Sequence, residues 1–299
     1  MSKMEYLKDM PIAVLGGGAV GKTCAADMAL AGRSVRLYDA MPFAATSLKD
    51  VDKTGILLDG TQRNKYCFER SGRAHFDLVT TDIAEAVKGA GLIVVACGSW
   101  GHEPIFRALI PHLEDGQVIH IFTDNFACLL LRRLMREMGC TKKVIVGGWS
   151  SAPYGTRIES IGKFQFPHVG AKYRAITLRG AALPMTDTDD FLESSKYLPC
   201  MDAVTQGDGP SKANTVLDVD FANLNPVIHV PATILGVSTM ENWAVIFCGH
   251  DKTTYSMYSH GLCPSICEVQ YQFYNEEIAL AKAIGVGCPS YKYEMFFSR

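Results

Sequence analysis

Through its first half the chain alternates short, nearly wholly apolar runs with stretches of helical spacing. Pro11-Ile-Ala-Val-Leu15 is an apolar strand, Gly91-Leu-Ile-Val-Val-Ala96 is a continuous apolar run of the kind expected for a strand buried on both faces, and Gln117 to Phe122 reads as another strand. Ser34-Val-Arg-Leu-Tyr-Asp39 and Lys143 to Val146 read as further strands. Between them the spacing predicts a helix from near Ala19 to Gly32 and a short one over Thr81 to Lys88, where Asp82 and Glu85 resemble a capping box. It also predicts a helix from Glu103 to Leu113 with Pro104 in its first turn, and an amphipathic one from Cys128 to Met138. Gly55 to Gly60 and Tyr66 to Glu69 flank a polar turn and read as a small excursion of the sheet.

From about Asp187 strand runs vanish and helical spacing takes over, at Asp190 to Lys196, Asn225 to Ser238 and Cys263 to Ile284. In the last, Ile266, Val269, Tyr271, Phe273, Ile278, Leu280, Ala281 and Ile284 are expected to form one apolar stripe. The fold class expected is a Rossmann-type α/β domain over 1–182, a doubly wound parallel sheet, followed by an all-α domain over 183–299.

Composition narrows the function classes. A chain of 299 residues, 48% hydrophobic and 20% charged with net charge −2, has no basic footprint for nucleic acid. No apolar run is long enough to span a membrane, and Met1-Ser-Lys-Met-Glu-Tyr is too polar for a secretory signal, so a cytoplasmic location is expected. The ten cysteines include no C-x-x-C and no paired metal spacing, so no metal site is expected. Cys97, Cys128 and Cys248 read as small buried hydrophobes, while Cys263 and Cys267 are helical neighbours.

Gly16-Gly-Gly-Ala-Val-Gly-Lys-Thr23 satisfies two phosphate-binding patterns at once, G-x-G-x-x-G and G-x-x-x-x-G-K-T. Each follows a strand and opens a helix, so the flanking sequence must arbitrate. A short helix feeding directly into a strand that ends in Asp39, about 20 residues beyond the glycines, is a dinucleotide-binding βαβ unit. In that reading Gly16 makes the turn, Gly18 admits the pyrophosphate and Gly21 lets helix and strand pack closely. Ala19, Val20 and Cys97 complete the cofactor set, and Asp39 receives the ribose hydroxyls. Asp39 repels a 2′-phosphate and Ala40-Met-Pro-Phe43 supplies no arginine for one, so NAD(H) is favoured over NADP(H). The nucleotide triphosphate reading finds a D-x-x-G at Asp52-Lys-Thr-Gly55 and an acid ending a strand at Asp124. Its N-K-x-D match fails at Cys67.

In the second half the sharpest constellation is Asn223-Leu-Asn-Pro-Val-Ile-His-Val-Pro231. If Pro226 begins a helix, Asn225 and His229 emerge four apart on one face, able to bind a carboxylate and exchange a proton. Alternatively Asn225 caps the helix and His229 is a core histidine. This segment, behind a G-x-G-x-x-G domain, resembles the octopine/nopaline type of opine dehydrogenase. Gly101-His-Glu103, Pro153-Tyr-Gly-Thr-Arg157 and the helix Glu276 to Gly285, similar to the family's D-x-E-R helix, extend the resemblance over most of the chain.

The resemblance implies reductive condensation of an amino acid with a 2-keto acid by hydride from a nicotinamide cofactor, with His229 as acid and base. It implies substrate contacts for Asn225, His102 and Arg157. His102 can instead lie on a surface loop, and Arg157 can instead pair with an acid. Partners are then small molecules, with a homodimer possible. Three departures stand out. Tyr274 and Glu277 replace the acid and arginine of the D-x-E-R helix, and Thr123-Asp-Asn125 stands where a Pro-Gly turn is usual, which could reshape the cofactor pocket. The family's R-Y-x-x-E-D segment, whose aspartate partners the histidine, has no counterpart after Gly285, so a short relative lacking that carboxylate is expected. Other readings are a 2- or 3-hydroxy acid dehydrogenase of the same two-domain plan and a non-catalytic dinucleotide binder.

Overall fold

The computed structural model describes residues 3–60, 70–159, 167–246 and 254–297. The strand expected over Tyr66 to Glu69, the failed N-K-x-D match ending at Cys67, and Cys248 lie outside these. Twelve strands follow in chain order: β1 Ile12–Leu15, β2 Val35–Tyr38, β3 Ile56–Gly60, β4 Gly72–Ala74, β5 Leu78–Thr80, β6 Leu92–Val95, β7 Val118–Phe122, β8 Ile145–Trp149, β9 Tyr154–Ile158, β10 His168–Arg174, β11 Thr177–Ala182 and β12 Gly209–Lys212.

The main sheet runs β12-β11-β8-β7-β6-β1-β2-β5. Its six strands β5-β2-β1-β6-β7-β8 are all parallel, in the strand order of a dinucleotide-binding fold. Every residue of β1, β6 and β7 is buried, which explains the unbroken apolar runs of β1 and β6. The order reverses between β1 and β6, so the crevice outside their carboxyl ends is the place for a ligand.

The helix Ala19–Leu30 follows β1 and stops where Gly32 turns to φ +84°, with Arg33 N donating to Met28 O at 3.1 Å. It is buried on more than its sheet-facing side because β4-β3-β10-β9 form a second sheet against it. The segment expected to be an excursion of the main sheet is therefore the start of a separate one. Asp27, fully buried on this helix, accepts from Arg174 on β10 at 2.8 and 2.9 Å and from the Tyr154 hydroxyl on β9 at 2.5 Å. A buried carboxylate placed there is tolerable because guanidinium and phenol satisfy it.

The chain divides into two units, Met1–Asp220 and Phe221–Arg299. The boundary expected after residue 182 moves to Asp220. Residues 183–220 contain not only the helices Thr188–Ser194 and Val216–Asp220, which pack on β11, but also β12, hydrogen-bonded parallel to β11. A strand of Gly-Pro-Ser-Lys has no apolar alternation to announce it.

Among its described residues the second unit is helical, as expected, with Asn225–Leu235, Val237–Glu241, Trp243–Ile246, a π-helical turn Met257–Gly261, Pro264–Ala283 and Glu294–Phe297. Its core gathers Val227, Tyr274 and Phe296. The single stripe expected on the long helix is two faces. Cys267, Gln270, Tyr274 and Ala281 are buried, whereas Val269, Phe273, Leu280 and Ile284 are exposed. Helical spacing located the helix, but a glutamine whose Nε2 donates to Ile228 O and a tyrosine whose hydroxyl donates to Pro289 O took inward positions.

Candidate functional site

In the first unit the glycine turn occupies the crevice at the carboxyl end of β1. Gly16 adopts φ +125°, and a Cβ there would lie 2.4 Å from the Ala96 carbonyl oxygen beyond β6. A Cβ on Gly21 would lie 1.8 Å from the Gly16 carbonyl oxygen, so helix and turn meet too closely for any side chain. Gly18 is the opposite case: among the described residues nothing lies within 4 Å of its would-be Cβ. The N–H groups of Ala19, Val20 and Gly21 precede the first intrahelical bond, from Lys22 N to Gly18 O at 2.9 Å. An open glycine beside uncommitted helix N–H groups fits a pyrophosphate.

The two residues that would serve a nucleoside triphosphate are committed elsewhere. Lys22 is buried with its ammonium donating to the Gly17 carbonyl at 2.7 Å, and burial lowers it to about 8. The Thr23 hydroxyl donates to Ala19 O at 2.8 Å and lies 2.6 Å from the Thr156 hydroxyl. Asp124 is fully buried, accepting from Cys128 N at 2.8 Å. Among the described residues no group of three or more His, Cys, Asp or Glu could hold a metal ion.

Asp39 ends the second parallel strand as expected, accepting from Ala40 N at 3.0 Å and from the Ser47 hydroxyl. A Cβ on Gly17 would come within 2.7 Å of both Asp39 Oδ2 and Ser47 Oγ, so this middle glycine lets the carboxylate approach the turn. Neither Gly17 nor Ser47 was marked by the motif. Cys97, just past β6, is half-buried, and burial with the Asp39 charge pushes its thiol up to about 12. It stays neutral and packs beside Gly101.

His102 is not on a surface loop. It is 2% exposed at the start of the helix His102–Leu109, stacked on Phe106 with ring centroids 5.5 Å apart. Burial lowers it to about 4, so the ring is neutral near pH 7, and its Nε2 has no hydrogen-bond partner among the described residues. Arg157 is exposed on β9, makes no ion pair among the described residues, and stands next to Thr156, which faces the glycine-turn helix.

The segment Thr123 to Asn125 does reshape the end of β7. Asn125 and Phe126 both adopt left-handed conformations, φ +47° and +63°. Two carboxylates hold this turn at the start of the helix Ala127–Glu137. Asp124 accepts from Cys128 N at 2.8 Å, and Asp220 accepts from Phe126 N at 2.8 Å. Burial raises both, Asp124 to about 6 and Asp220 to about 8, and the Asp124 charge adds to the rise at Asp220. Asn125 reaches back to the Ser99 hydroxyl at 3.0 Å, and exposed Trp100 packs 5.1 Å from Phe43, so aromatic loops beyond β2 and β6 meet at the crevice.

In the second unit the helix begins at Asn225, and Asn225 and His229 share it four residues apart. Asn225 is not the cap: Asn223, 3% exposed, accepts from its backbone N–H at 3.1 Å and its side-chain amide at 2.6 Å. That leaves Asn225 exposed and oriented by its neighbour. His229 is half-buried rather than a core residue, with Nε2 2.5 Å from the Tyr258 hydroxyl. Gln270 donates to the carbonyl of Ile228 at 2.7 Å, tying the long helix to the residue before His229. Burial raises Glu277 to about 7, and its Oε2 has no hydrogen-bond partner among the described residues.

Residues 212–298 match the family model described as the α-helical domain of NAD/NADP octopine/nopaline dehydrogenase, and residues 12–125 match the ketopantoate reductase PanE/ApbA model. An opine dehydrogenase of Arthrobacter sp. (strain 1C) is 30% identical over 281 residues, covering 93% of this chain and 69% of that protein. The chain belongs to the opine dehydrogenase family. It is thereby an NAD(P)-dependent dehydrogenase of this family, an oxidoreductase. The fold agrees with solved family members. Octopine dehydrogenase with NADH and pyruvate superposes at TM-score 0.66 and 18% identity over 96% of this chain and 69% of that one. Yersinopine dehydrogenase bound to NADP+ superposes at 0.69 and 15% over 94% and 66%. No helix among the described residues is long and apolar enough to cross a membrane.

Proposed function

We propose that this chain catalyses the reductive condensation of an amino acid with a 2-keto acid, with His229 as its acid–base group. The observation that carries the reading is the Asn225–His229 pair on one helix, within the region matching the octopine/nopaline helical domain. The amine attacks a carbonyl only as its free base, and the adduct loses water only when its hydroxyl is protonated. An imidazole, whose unperturbed pKa is about 6.5, serves both steps. A bound nicotinamide dinucleotide supplies the hydride that reduces the resulting imine.

Gly16, Gly18, Ala19, Val20 and Gly21 would hold the pyrophosphate, Asp39 the ribose hydroxyls, and Cys97 would line the crevice as a neutral thiol. Asn225, fixed by Asn223, would orient a substrate carboxylate or amine, and neutral His102 would offer a hydrogen bond. The Asp39–Ser47 pair supports NADH over NADPH, because an anion beside the ribose repels a 2′-phosphate. Arg157, exposed on β9, would hold a substrate carboxylate.

The match of residues 12–125 to a ketopantoate reductase favours, as a second reading, reduction of a keto acid without an amine. Following NADH absorbance with amino acids and 2-keto acids, singly and in pairs, separates the two. Oxidation only when both are present is expected. Oxidation with keto acid alone would replace this proposal by the second.

A further inference from the structure

The dinucleotide fingerprint leaves a charged residue of its own octet unused. Lys22, in the first turn of the helix Ala19–Leu30, is 3% exposed, and among the described residues no carboxylate lies within ion-pair distance of it. Lysine is almost never fully buried without an ionic partner, because its charge is costly away from water. Among the described residues one of its three N–H donors is engaged, toward Gly17 O at 2.7 Å.

That bond orients the turn. The peptide joining Gly17 to Gly18 is trans, so drawing the Gly17 carbonyl toward Lys22 turns the Gly18 N–H the opposite way. The backbone N–H of Lys22 holds Gly18 O at 2.9 Å, which does the same for the N–H of Ala19. Lys22 thus grips two consecutive carbonyls from the buried side of the turn, and the amides paired with them point away from it. Gly18, between those amides, is exposed. The charge acting on Lys22 is Asp39 at the end of β2, itself held by Ala40 N and the Ser47 hydroxyl. Burial keeps Cys97 beyond β6 and Tyr38 on β2 neutral, Thr156 on β9 is uncharged, and Asp27 further along the helix is paired with Arg174. Burial outweighs the pull of Asp39 and brings Lys22 down to about 8.

We infer that Lys22 is a positioning residue for the cofactor: its ammonium sets the amides that receive the pyrophosphate and supplies the positive charge against which that anion binds. This rests on the dinucleotide reading of the glycine turn. The charge lies away from water, so it is weakly screened and acts on an anion without touching it. An anion at the turn favours the protonated lysine, so binding raises its pKa and takes up a proton wherever the free lysine has lost one. Affinity is therefore full below about pH 8 and falls as pH rises above it. A neutral amine still donates to Gly17 O, so the turn keeps its shape and what is lost is the charge.

The test is calorimetric titration of the 299-residue chain with NADH at about pH 7 and about pH 9, in two buffers of different ionisation enthalpy, which gives the protons taken up per NADH bound. NADH itself has no group that titrates in this range. At about pH 9 wild type is expected to take up roughly half a proton or more and to bind roughly five- to tenfold more weakly than at about pH 7. Lys22→Met removes the cost of a buried charge, so it should melt no lower than wild type, bind roughly tenfold more weakly or worse at about pH 7, and take up no proton. Asp220, raised to about 8 in the turn after β7, is the other group able to take up a proton here, and Asp220→Asn is expected to keep the uptake. No uptake in wild type, undiminished uptake in Lys22→Met, or uptake lost in Asp220→Asn overturns the inference. Should Lys22→Met fail to fold, wild type and Asp220→Asn decide it. Wild type that binds no NADH at either pH would instead remove the dinucleotide reading, and this inference with it.

Discussion

Gly18 and Gly21 are glycines for opposite reasons, and the difference can be measured. Gly21 has the Gly16 carbonyl where its side chain would go, whereas Gly18 faces open space at the head of the helix. Gly18→Val should therefore fold with a nearly unchanged melting temperature yet lose saturable NADH binding, read by calorimetry. Undiminished binding would remove Gly18 from the cofactor cradle. Much at this scale was legible, because the motif's spacing encodes the turn itself. What the sequence hid were the partners. Gly17 and Ser47 lie against Asp39, and Tyr258 against His229, and each pairing joins positions that carry no mutual signal along the chain. Burial of His102 was likewise invisible, since it depends on what packs over the start of its helix.

Between residues and fold stands the turn after β7, where two carboxylates secure the start of the helix Ala127–Glu137. Both hold protons to higher pH when folded, about 6 for Asp124 and about 8 for Asp220, than when unfolded, near 4. Their contribution to stability is complete below about pH 4 and is lost as pH rises through those values. His102 and His120, lowered to about 4 and about 3 by burial, act with the opposite sign, but their contribution is complete above about 6.5. Between about pH 6.5 and 8 the loss at Asp220 is thus the one that remains in this turn. Asp220→Asn keeps an oxygen for Phe126 N, so its melting temperature should gain on wild type as pH rises across that window. A gap that stays constant with pH would show that Asp220 is ionised throughout. Elements such as β1 and β6 were legible because burial on both faces leaves an unbroken apolar run. β9, β10 and β12 were not, because they are held by Asp27, by the helix Ala19–Leu30 and by pairing to β11 rather than by local pattern.

For the whole molecule, the division of labour follows the two units. Met1–Asp220 carries the dinucleotide turn, and Phe221–Arg299 carries Asn225, His229 and Tyr258. The shift of the boundary from 182 to Asp220 assigns Asp220 to the first unit. Family membership was readable from the segment ending at His229, whose residues carried the resemblance. The identities of the amino acid and keto acid were not, since they depend on which side chains face the substrate. The central claim is that hydride reaches an imine carbon, and 4-deuterated NADH tests it directly. Incubated with the chain, an amino acid and a 2-keto acid, it should yield a secondary amine bearing one deuterium on the former carbonyl carbon, detected by mass spectrometry. Deuterium found instead in a 2-hydroxy acid, with no joined product, would contradict the account.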